Sequence, residues 1–258
     1  MRANCSKVRR RHNIGTRLVN LRLHAAIFDL DGTLVETLPD IHAVLAELLV
    51  EEGIAVPDRE RVRRMIGDGA RMLVVRALQA AGRASGEEDE IDRLHRRFVE
   101  LYERHPCRYS APFPGAVECL RHLRERGVRL GVCTNKPQRA SEQLLDALGL
   151  APYFSVVIGG DRAVRRKPDP EHPRAVLAAL GENARHGLMI GDSRNDLLAA
   201  RAAGLPCVLV RHGYGPDPAD ALGADRVIDD LSELPPLLSA GALDSAAGEP
   251  YEPGGEGA

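Results

Sequence analysis

Short apolar segments of strand length alternate with helical segments along most of this chain, and this alternation constrains the fold more than any other feature. The apolar segments lie at residues 25–30, 128–134, 155–158, 187–190, 207–210 and 226–228. Apolar strands separated by helices form a parallel sheet that helices cover on both faces. The sequence therefore predicts an α/β fold with a doubly wound, Rossmann-like parallel sheet. In such sheets ligands bind beyond the carboxyl ends of the strands, so chemistry is expected at that edge.

Residues 37–110 break the alternation, because they show only helical patterns and no convincing strand. Two apolar stripes with helical spacing run along Ile41, Val44, Leu45, Leu48 and Leu49, and along Ile91, Leu94, Phe98 and Leu101. A block of this length is too long for an ordinary connection between two strands. It predicts a helical cap domain inserted after the first strand, over the carboxyl edge of the sheet. Residues 23–36 and 111–238 then form the α/β core.

The two ends of the chain lack the pattern of the core. Residues 1–22 contain seven basic residues and no acidic one, which predicts a disordered extension. A start codon assigned too far upstream, or an arm for nucleic acid or organelle targeting, gives the same composition. Residues 239–258 are rich in Gly, Ala, Pro and Glu and predict a disordered tail. With a net charge of −2 and 3% aromatic residues, no nucleic-acid partner is expected for the core.

The cysteines and the hydropathy pattern indicate a cytoplasmic protein. The five cysteines are odd in number and widely spaced, without a C-x-x-C pair, so reduced thiols are expected rather than a disulfide framework or a zinc site. No apolar run approaches the ~18 residues that a membrane span needs. The N-terminus has no continuous apolar stretch of signal-peptide type. We expect a soluble cytoplasmic monomer or homodimer without a membrane partner.

The first predicted strand ends in Asp29-Leu30-Asp31-Gly32-Thr33-Leu34. Strand alternation points Asp29 and Asp31 in the same direction. Two neighbouring carboxylates repel each other unless a proton or a cation compensates them, and a hard divalent cation such as Mg²⁺ prefers oxygen ligands. Gly32 permits a tight turn whose N–H groups face an anion. On its own a D-x-D pair also fits two solvated turn carboxylates, but D-x-D-G-T-L after an apolar strand favours a magnesium and substrate site.

Three further strand ends carry polar residues. The segment VCTNKP presents the hydroxyl of Thr134 and the amide of Asn135 before a helix that begins at proline, where a phosphoryl oxygen binds well. The segment RRKPDP presents Lys167, and GDSRND presents Asp192 with Asp196 one helical turn later. Taken singly, each segment also has a structural explanation. VCTNKP fits an ordinary helix cap, RRKPDP fits a basic stretch on the surface, and GDSRND fits an N-cap with a favourable charge in the first helical turn. Because all four strand ends meet at one edge of the sheet, we predict a single site.

Together the four segments resemble the four motifs of the haloacid dehalogenase-like hydrolase superfamily, over residues 24–235. The matching residues are Asp29-x-Asp31-Gly-Thr, Thr134-Asn135, Lys167-Pro-Asp and Gly-Asp192-x-x-Asn-Asp196. The segments PFPGAVECL, GDSRNDLLAARAAGLP and RHGYG look most like the bacterial phosphoglycolate phosphatases of that superfamily. One departure is Glu36, where Asp is more usual.

The resemblance implies a Mg²⁺-dependent phosphomonoester hydrolase that acts on a small phosphorylated metabolite. The expected reaction converts 2-phosphoglycolate to glycolate and phosphate through an aspartyl-phosphate. Asp29 is the expected nucleophile, and Asp31 protonates the leaving group and then activates water. Lys167 is expected to offset the charge of the transition state and to steady Asp29.

The remaining motif residues are expected to bind phosphate and metal. Thr134 and Asn135 bind phosphoryl oxygens. The magnesium ligands are Asp29, the backbone carbonyl of Asp31, and Asp192. Asp196 orients the metal site from behind these ligands.

The helical insertion is expected to act as a lid that contacts the leaving group. At residues 67–71 a Gly-rich turn begins a helix, and its N–H groups or Arg71 are candidates for binding the carboxylate of 2-phosphoglycolate. The same segment also fits a simple turn between helices with Arg71 in solvent.

Other functions fit parts of the pattern. A sugar-phosphate phosphatase, such as an N-acetylmuramate 6-phosphate phosphatase, shares the chemistry and the cap. A mutase would also use Asp31, but the remaining motifs look more like those of the phosphatases. Dehalogenase chemistry needs no Mg²⁺, and the D-x-D-G-T pattern argues against it. A catalytically silent binding module normally lacks one of the motif residues, and none is missing here. A nucleic-acid function of residues 1–22 would be tested by deleting them.

Overall fold

The apolar segments form one parallel sheet in the computed structural model, which describes residue 18, residues 21–83 and residues 88–245. Its strands are β1 (Ala25–Phe28), β4 (Arg129–Cys133), β5 (Val156–Ile158), β6 (Gly187–Gly191), β7 (Cys207–Val210) and β8 (Arg226–Ile228). They lie in the order β5-β4-β1-β6-β7-β8, and every pairing is parallel. The predicted α/β class with a Rossmann-like sheet is confirmed.

Helices connect the strands and cover both faces of the sheet. The helices of the sheet unit are α5 (Ala116–Glu125), α6 (Gln138–Ala147), α7 (Glu171–Ala179), α8 (Arg194–Ala203), α9 (Ala219–Leu222) and α10 (Leu234–Ser245). Three short 3-10 helices lie at Ala151–Tyr153, Ala184–His186 and Leu231–Glu233. None of the helices within the described residues is both long enough and apolar enough to span a bilayer.

Strand alternation divides the apolar core of the sheet into two layers. Ala26 and Phe28 of β1 pack with α5 and α6 on one face. Ala25 and Ile27 pack with α7 and α8 on the other face. Because both faces are buried, the carboxyl ends of β1, β4 and β6 are held in fixed register at one edge.

A second apolar core lies among the helices between β1 and α5. These helices are α1 (Leu38–Glu51), α2 (Arg59–Arg63), α3 (Ala70–Ala80) and α4 (Glu88–Arg104). Their buried side chains form one cluster, to which the sheet unit contributes Ala140 and Tyr214. The helical unit is entered and left through β2 (Val35–Glu36) and β3 (Ala111–Pro112), which pair antiparallel. The sequence did not predict this two-stranded ribbon, because strands of two residues are too short to show a periodic pattern.

The described structure extends a few residues past the predicted limits of the core at both ends. Leu18 is buried in the sheet core and Leu21 packs against it, so ordered packing begins before residue 23; residues 1–17 and 19–20 lie outside the described residues. Helix α10 extends beyond residue 239, the predicted start of the tail. Its first turns pack Leu234 and Leu237 on the core.

The thiols that the structure describes are free. They are Cys107, Cys119, Cys133 and Cys207, whereas Cys5 lies outside the described residues. Burial raises the pKa of Cys119 to about 12, so this thiol stays protonated and unreactive. A cytoplasmic location stays a prediction.

Candidate active site

The turn after β1 brings the first two carboxylates to the carboxyl edge of the sheet. The Asp29 N–H donates to the carbonyl of Ile190 in β6 (2.9 Å), which extends the ladder by one residue. Gly32 has a φ of +83°, and a Cβ there would lie 2.7 Å from Asp192 Oδ2, so the position requires glycine. The Gly32 N–H donates to the Val35 carbonyl (3.0 Å). Substrate binding by Gly32 stays a prediction that this hydrogen bond does not favour, because the turn itself uses the donor.

Three buried carboxylates converge at this edge. Asp29, Asp192 and Asp196 each offer an oxygen within 4.8 Å of the others. Asp192 is oriented by the hydroxyl of Thr33 (3.1 Å) and by the N–H of Tyr214 (2.7 Å), both of which donate to its oxygens. A cluster of this kind is stable only if positive charge compensates it.

Lys167 supplies one such charge. Its ammonium donates to Asp196 Oδ1 (2.6 Å) and forms an ion pair with Asp29 Oδ1 (2.9 Å). Burial alone would lower the pKa of Lys167, but Asp196 and Asp29 outweigh it and raise the pKa. The lysine is therefore charged at neutral pH. Its single positive charge does not balance the negative charge of three carboxylates.

A divalent cation fits the remaining charge. Burial raises the pKa of Asp29 to about 6; the charge of Lys167 opposes this rise and the charge of Asp196 adds to it. Burial and the charge of Asp196 also raise the pKa of Asp192. Ser193 Oγ and two backbone N–H groups donate to Asp196 Oδ2, so Asp29 and Asp192 are the carboxylates with capacity left for a metal. These hard oxygen donors suit Mg²⁺.

Asp31 faces away from the carboxylate cluster toward a lysine that the sequence left without a function. Lys136 Nζ donates to Asp31 Oδ1 (3.1 Å) and to the hydroxyl of Tyr102 in α4 (2.9 Å). Tyr102 is buried and Asp31 is partly buried, and both line the cavity between the helical unit and the sheet. A metal contact by Asp31 thus falls to its backbone carbonyl, which stays a prediction. The one available signal was the position of Lys136 directly after Thr134 and Asn135.

Thr134 and Asn135 lie at the end of β4 and line the same cavity. The Thr134 hydroxyl accepts from the Lys136 N–H (3.2 Å), and its proton remains available for a phosphoryl oxygen. The Asn135 amide donates to the carbonyls of Gly67 (2.8 Å) and Lys167 (3.0 Å). Binding of a phosphoryl oxygen by Asn135 stays a prediction that this arrangement does not favour, because both amide protons are donated to backbone carbonyls of neighbouring loops.

The segment before α3 closes over the cavity, but Arg71 does not enter it. The amide of Asn195 donates to the Gly67 carbonyl (3.2 Å) and to Asp68 Oδ1 (2.7 Å), which ties the helical unit to α8. The Arg71 guanidinium forms ion pairs with Glu88 and with Asp92 (3.0 Å) of α4 and is not among the cavity-lining residues. Substrate binding by Arg71 stays a prediction that this geometry does not favour.

Tyr214 links the metal-site carboxylate to the entry of the helical unit. Its hydroxyl donates to Glu36 Oε1 (2.6 Å) and accepts from the N–H groups of Thr37 (2.7 Å) and Leu38 (3.0 Å). Its own N–H donates to Asp192. Burial and the Glu36 carboxylate raise the pKa of Tyr214, so the hydroxyl keeps its proton. The Glu at position 36 thus has a specific partner, which the RHGYG segment supplies.

His172 supports the loop that carries Lys167. Its Nδ1 accepts from the Lys167 N–H (3.3 Å), so Nε2 is the donor to the Ile158 carbonyl (3.0 Å). Burial, with Lys167 nearby, lowers the pKa of His172 to about 4. The folded site therefore holds the imidazole of His172 in its neutral form.

We expect His172 to make the fold sensitive to acid. Between pH 6.5 and about 4 the unfolded chain binds a proton that the folded chain excludes. The free energy of unfolding should fall over this range by up to roughly 3 kcal/mol from this group alone. Urea unfolding at pH 7 and pH 4.5 measures the loss. His172→Gln should be less stable at pH 7 but lose less on acidification, whereas His105→Gln, a change at an exposed residue, should behave like the wild type. Equal acid losses in all three proteins would contradict this account.

The comparisons with known proteins agree with this arrangement. A family model for haloacid dehalogenase-like hydrolases matches residues 23–204. The phosphoglycolate phosphatase of Rhodospirillum rubrum is 45% identical over 213 residues, covering 81% of this chain and 88% of that protein.

Solved structures share the fold over most of the chain. A predicted phosphoglycolate phosphatase from Haemophilus somnus has a TM-score of 0.78 and 31% identity, covering 83% of this chain and 96% of that one. CbbY from Rhodobacter sphaeroides, solved in complex with phosphate, has a TM-score of 0.72 and 29% identity, covering 82% of this chain and 96% of that one. With its motifs gathered at one edge of the sheet, this chain belongs to the haloacid dehalogenase-like hydrolases.

Proposed function

We propose that this enzyme is a Mg²⁺-dependent phosphomonoester hydrolase whose main substrate is 2-phosphoglycolate. The observation that carries the proposal is the buried Asp29, which has Lys167 at 2.9 Å and shares a carboxylate cluster with Asp192 at the edge of a cavity. The relatives named as phosphoglycolate phosphatases support the choice of substrate. The phosphate complex of CbbY supports a small phosphorylated ligand.

In the first half of the reaction, a carboxylate oxygen of Asp29 attacks phosphorus and the ester P–O bond breaks. The leaving oxygen takes a proton from Asp31, which lines the same cavity. The products of this step are glycolate and an aspartyl-phosphate on Asp29. The hydroxyl of Thr134 donates to a phosphoryl oxygen and orients the group for in-line displacement.

In the second half, water attacks phosphorus and gives a proton to Asp31. The bond between phosphorus and Asp29 breaks, which restores the carboxylate and releases phosphate. Lys167 stabilises negative charge next to Asp29 in both halves. Asp29, the carbonyl of Asp31 and Asp192 would hold Mg²⁺, which when bound supplies charge neutralisation and Lewis-acid chemistry.

The helices at residues 37–110 act as the cap in this proposal. Their apolar side chains form one wall of the cavity, and residues 67–70 lie against Asn135 and Asn195 of the sheet unit. This closed arrangement excludes bulk water from Asp29, so the first acceptor of the phosphoryl group is the carboxylate rather than solvent.

Initial rates on a panel of phosphomonoesters, with Mg²⁺ and with EDTA, test the proposal. We expect 2-phosphoglycolate to have the highest kcat/KM, EDTA to abolish turnover, and added Mg²⁺ to restore it. N-acetylmuramate 6-phosphate belongs in the panel, because a sugar-phosphate phosphatase would prefer it. A preference for that ester would contradict the substrate, unchanged rates in EDTA would contradict the metal, and absence of turnover on every ester would point to a binding module.

A further inference from the structure

Lys136 is the one cationic side chain among the described residues that line the cavity. Its ammonium lies 3.1 Å and 3.4 Å from the two oxygens of Asp31. Strong ammonium–carboxylate bonds measure about 2.7–2.9 Å, so Asp31 does not saturate this charge. A buried cation in a substrate cavity with a loosely held counter-ion is able to bind a second anion.

Apart from Tyr102, the cap side chains that line the cavity are apolar. They belong to Ile41, Ile66, Ala70, Leu73, Phe98 and Val99. A carboxylate in contact with these side chains alone would lose its hydration without compensation. Among the side chains that line the cavity, Lys136 supplies the positive charge that compensates an anionic substrate group.

Lysine is rare in this chain, which sets Lys136 apart from most of the other cationic side chains. Lys136 and Lys167 are the only lysines after residue 7, and every other cationic side chain in that stretch, apart from histidine, is arginine. A compact ammonium delivers its charge in less volume than a guanidinium. Both lysines lie in the candidate site, one beside Asp29 and the other beside Asp31.

We propose that Lys136 binds the carboxylate of the substrate's leaving group and thereby selects 2-phosphoglycolate over uncharged alkyl phosphates. The inference rests on the proposed function and deepens it. Asp31 protonates the ester oxygen, and in 2-phosphoglycolate the carboxylate carbon is two bonds from that oxygen. An ammonium in contact with Asp31 is therefore within reach of the carboxylate when the ester oxygen is in place.

Tyr102 connects this selection to the cap. Its hydroxyl accepts from Lys136 Nζ (2.9 Å), and the ammonium also lies 4.1 Å from the centre of its ring. Tyr102 belongs to α4 of the helical unit, whereas Lys136 follows β4 of the sheet. The position of the ammonium therefore depends on the cap being seated on the sheet.

The test compares 2-phosphoglycolate with ethyl phosphate, in which a methyl group replaces the carboxylate. The wild type should prefer 2-phosphoglycolate. Lys136→Met should lower kcat/KM for 2-phosphoglycolate about 10- to 100-fold more than for ethyl phosphate, because one charge-assisted hydrogen bond is lost only with the charged substrate. Tyr102→Phe, which keeps the ring, should shift the ratio in the same direction by less. Lys167→Met, the matched change beside Asp29, should lower both rates by one common factor.

The outcomes separate this inference from the proposed function. A wild type that does not prefer 2-phosphoglycolate overturns both. A wild-type preference that survives intact in Lys136→Met overturns the inference alone, since the lysine then acts only through Asp31. If Lys136→Met does not fold, an unchanged ratio in Tyr102→Phe overturns it. A ratio that collapses in Arg71→Ala but not in Lys136→Met assigns the carboxylate to Arg71 and overturns it too.

Discussion

Asp29→Asn should abolish turnover, with a loss in kcat of at least about 10⁴-fold. The amide is isosteric with the carboxylate but is not a nucleophile, so no aspartyl-phosphate forms. Rapid acid quenching with labelled substrate should trap a phosphoenzyme in the wild type and none in the variant. The loss should not depend on the leaving group, because the bond to Asp29 has to form with every substrate.

The fold should survive this substitution. Burial raises the pKa of Asp29 to about 6, which means that its charge is costly in the folded site. A neutral amide removes the repulsion with Asp192 and Asp196, so the unfolding midpoint in the absence of metal should stay level or rise. Asp192→Asn is the matched control: it keeps the nucleophile, so high Mg²⁺ should recover part of its activity and none of that of Asp29→Asn. Substantial turnover by Asp29→Asn would exclude the covalent route.

The position of the site was predictable because chemistry-bearing residues directly follow apolar strands. Asp29 follows β1, Thr134 follows β4 and Asp192 follows β6, and these three strands are neighbours in the sheet. The parallel register then brings their carboxyl ends together whatever the loops between them do. For this reason the sheet and the meeting of the motif residues follow from local pattern alone.

Contacts between the helical unit and the sheet were not predictable in the same way. Lys136 meets Tyr102, and Asn135 donates to Gly67, only because α4 and the segment before α3 are seated on the sheet. Helical periodicity identifies which face of a helix is apolar but not which element it covers. Arg71 illustrates the limit, since it lies in the first turn of a helix near the cavity, yet its side chain pairs with Asp92 of α4.

Replacing Asp31 by Asn should separate the two chemical steps. For an alkyl ester such as 2-phosphoglycolate, loss of the general acid should lower kcat about 10²- to 10⁴-fold. p-Nitrophenyl phosphate has a leaving group that departs without a proton, so the transfer to Asp29 should remain fast. Hydrolysis of the aspartyl-phosphate still needs Asp31 as base, so the phosphoenzyme should accumulate. Stopped-flow measurement should show a burst of p-nitrophenolate stoichiometric with enzyme, followed by a slow steady state.

The metal requirement distinguishes this result from damage to the site. The Asp31 carboxylate contacts Lys136 and lies outside the cluster of Asp29, Asp192 and Asp196, so the Mg²⁺ concentration for half-maximal activity should not change in Asp31→Asn. In Asp192→Asn it should rise, because a carboxylate of the cluster is lost. Equal losses on alkyl and aryl esters without a burst would show that Asp31 is not the proton donor and acceptor. A raised Mg²⁺ requirement would instead show that its side chain belongs to the metal site, since the ion pair with Lys136 would then have to open for the enzyme to work.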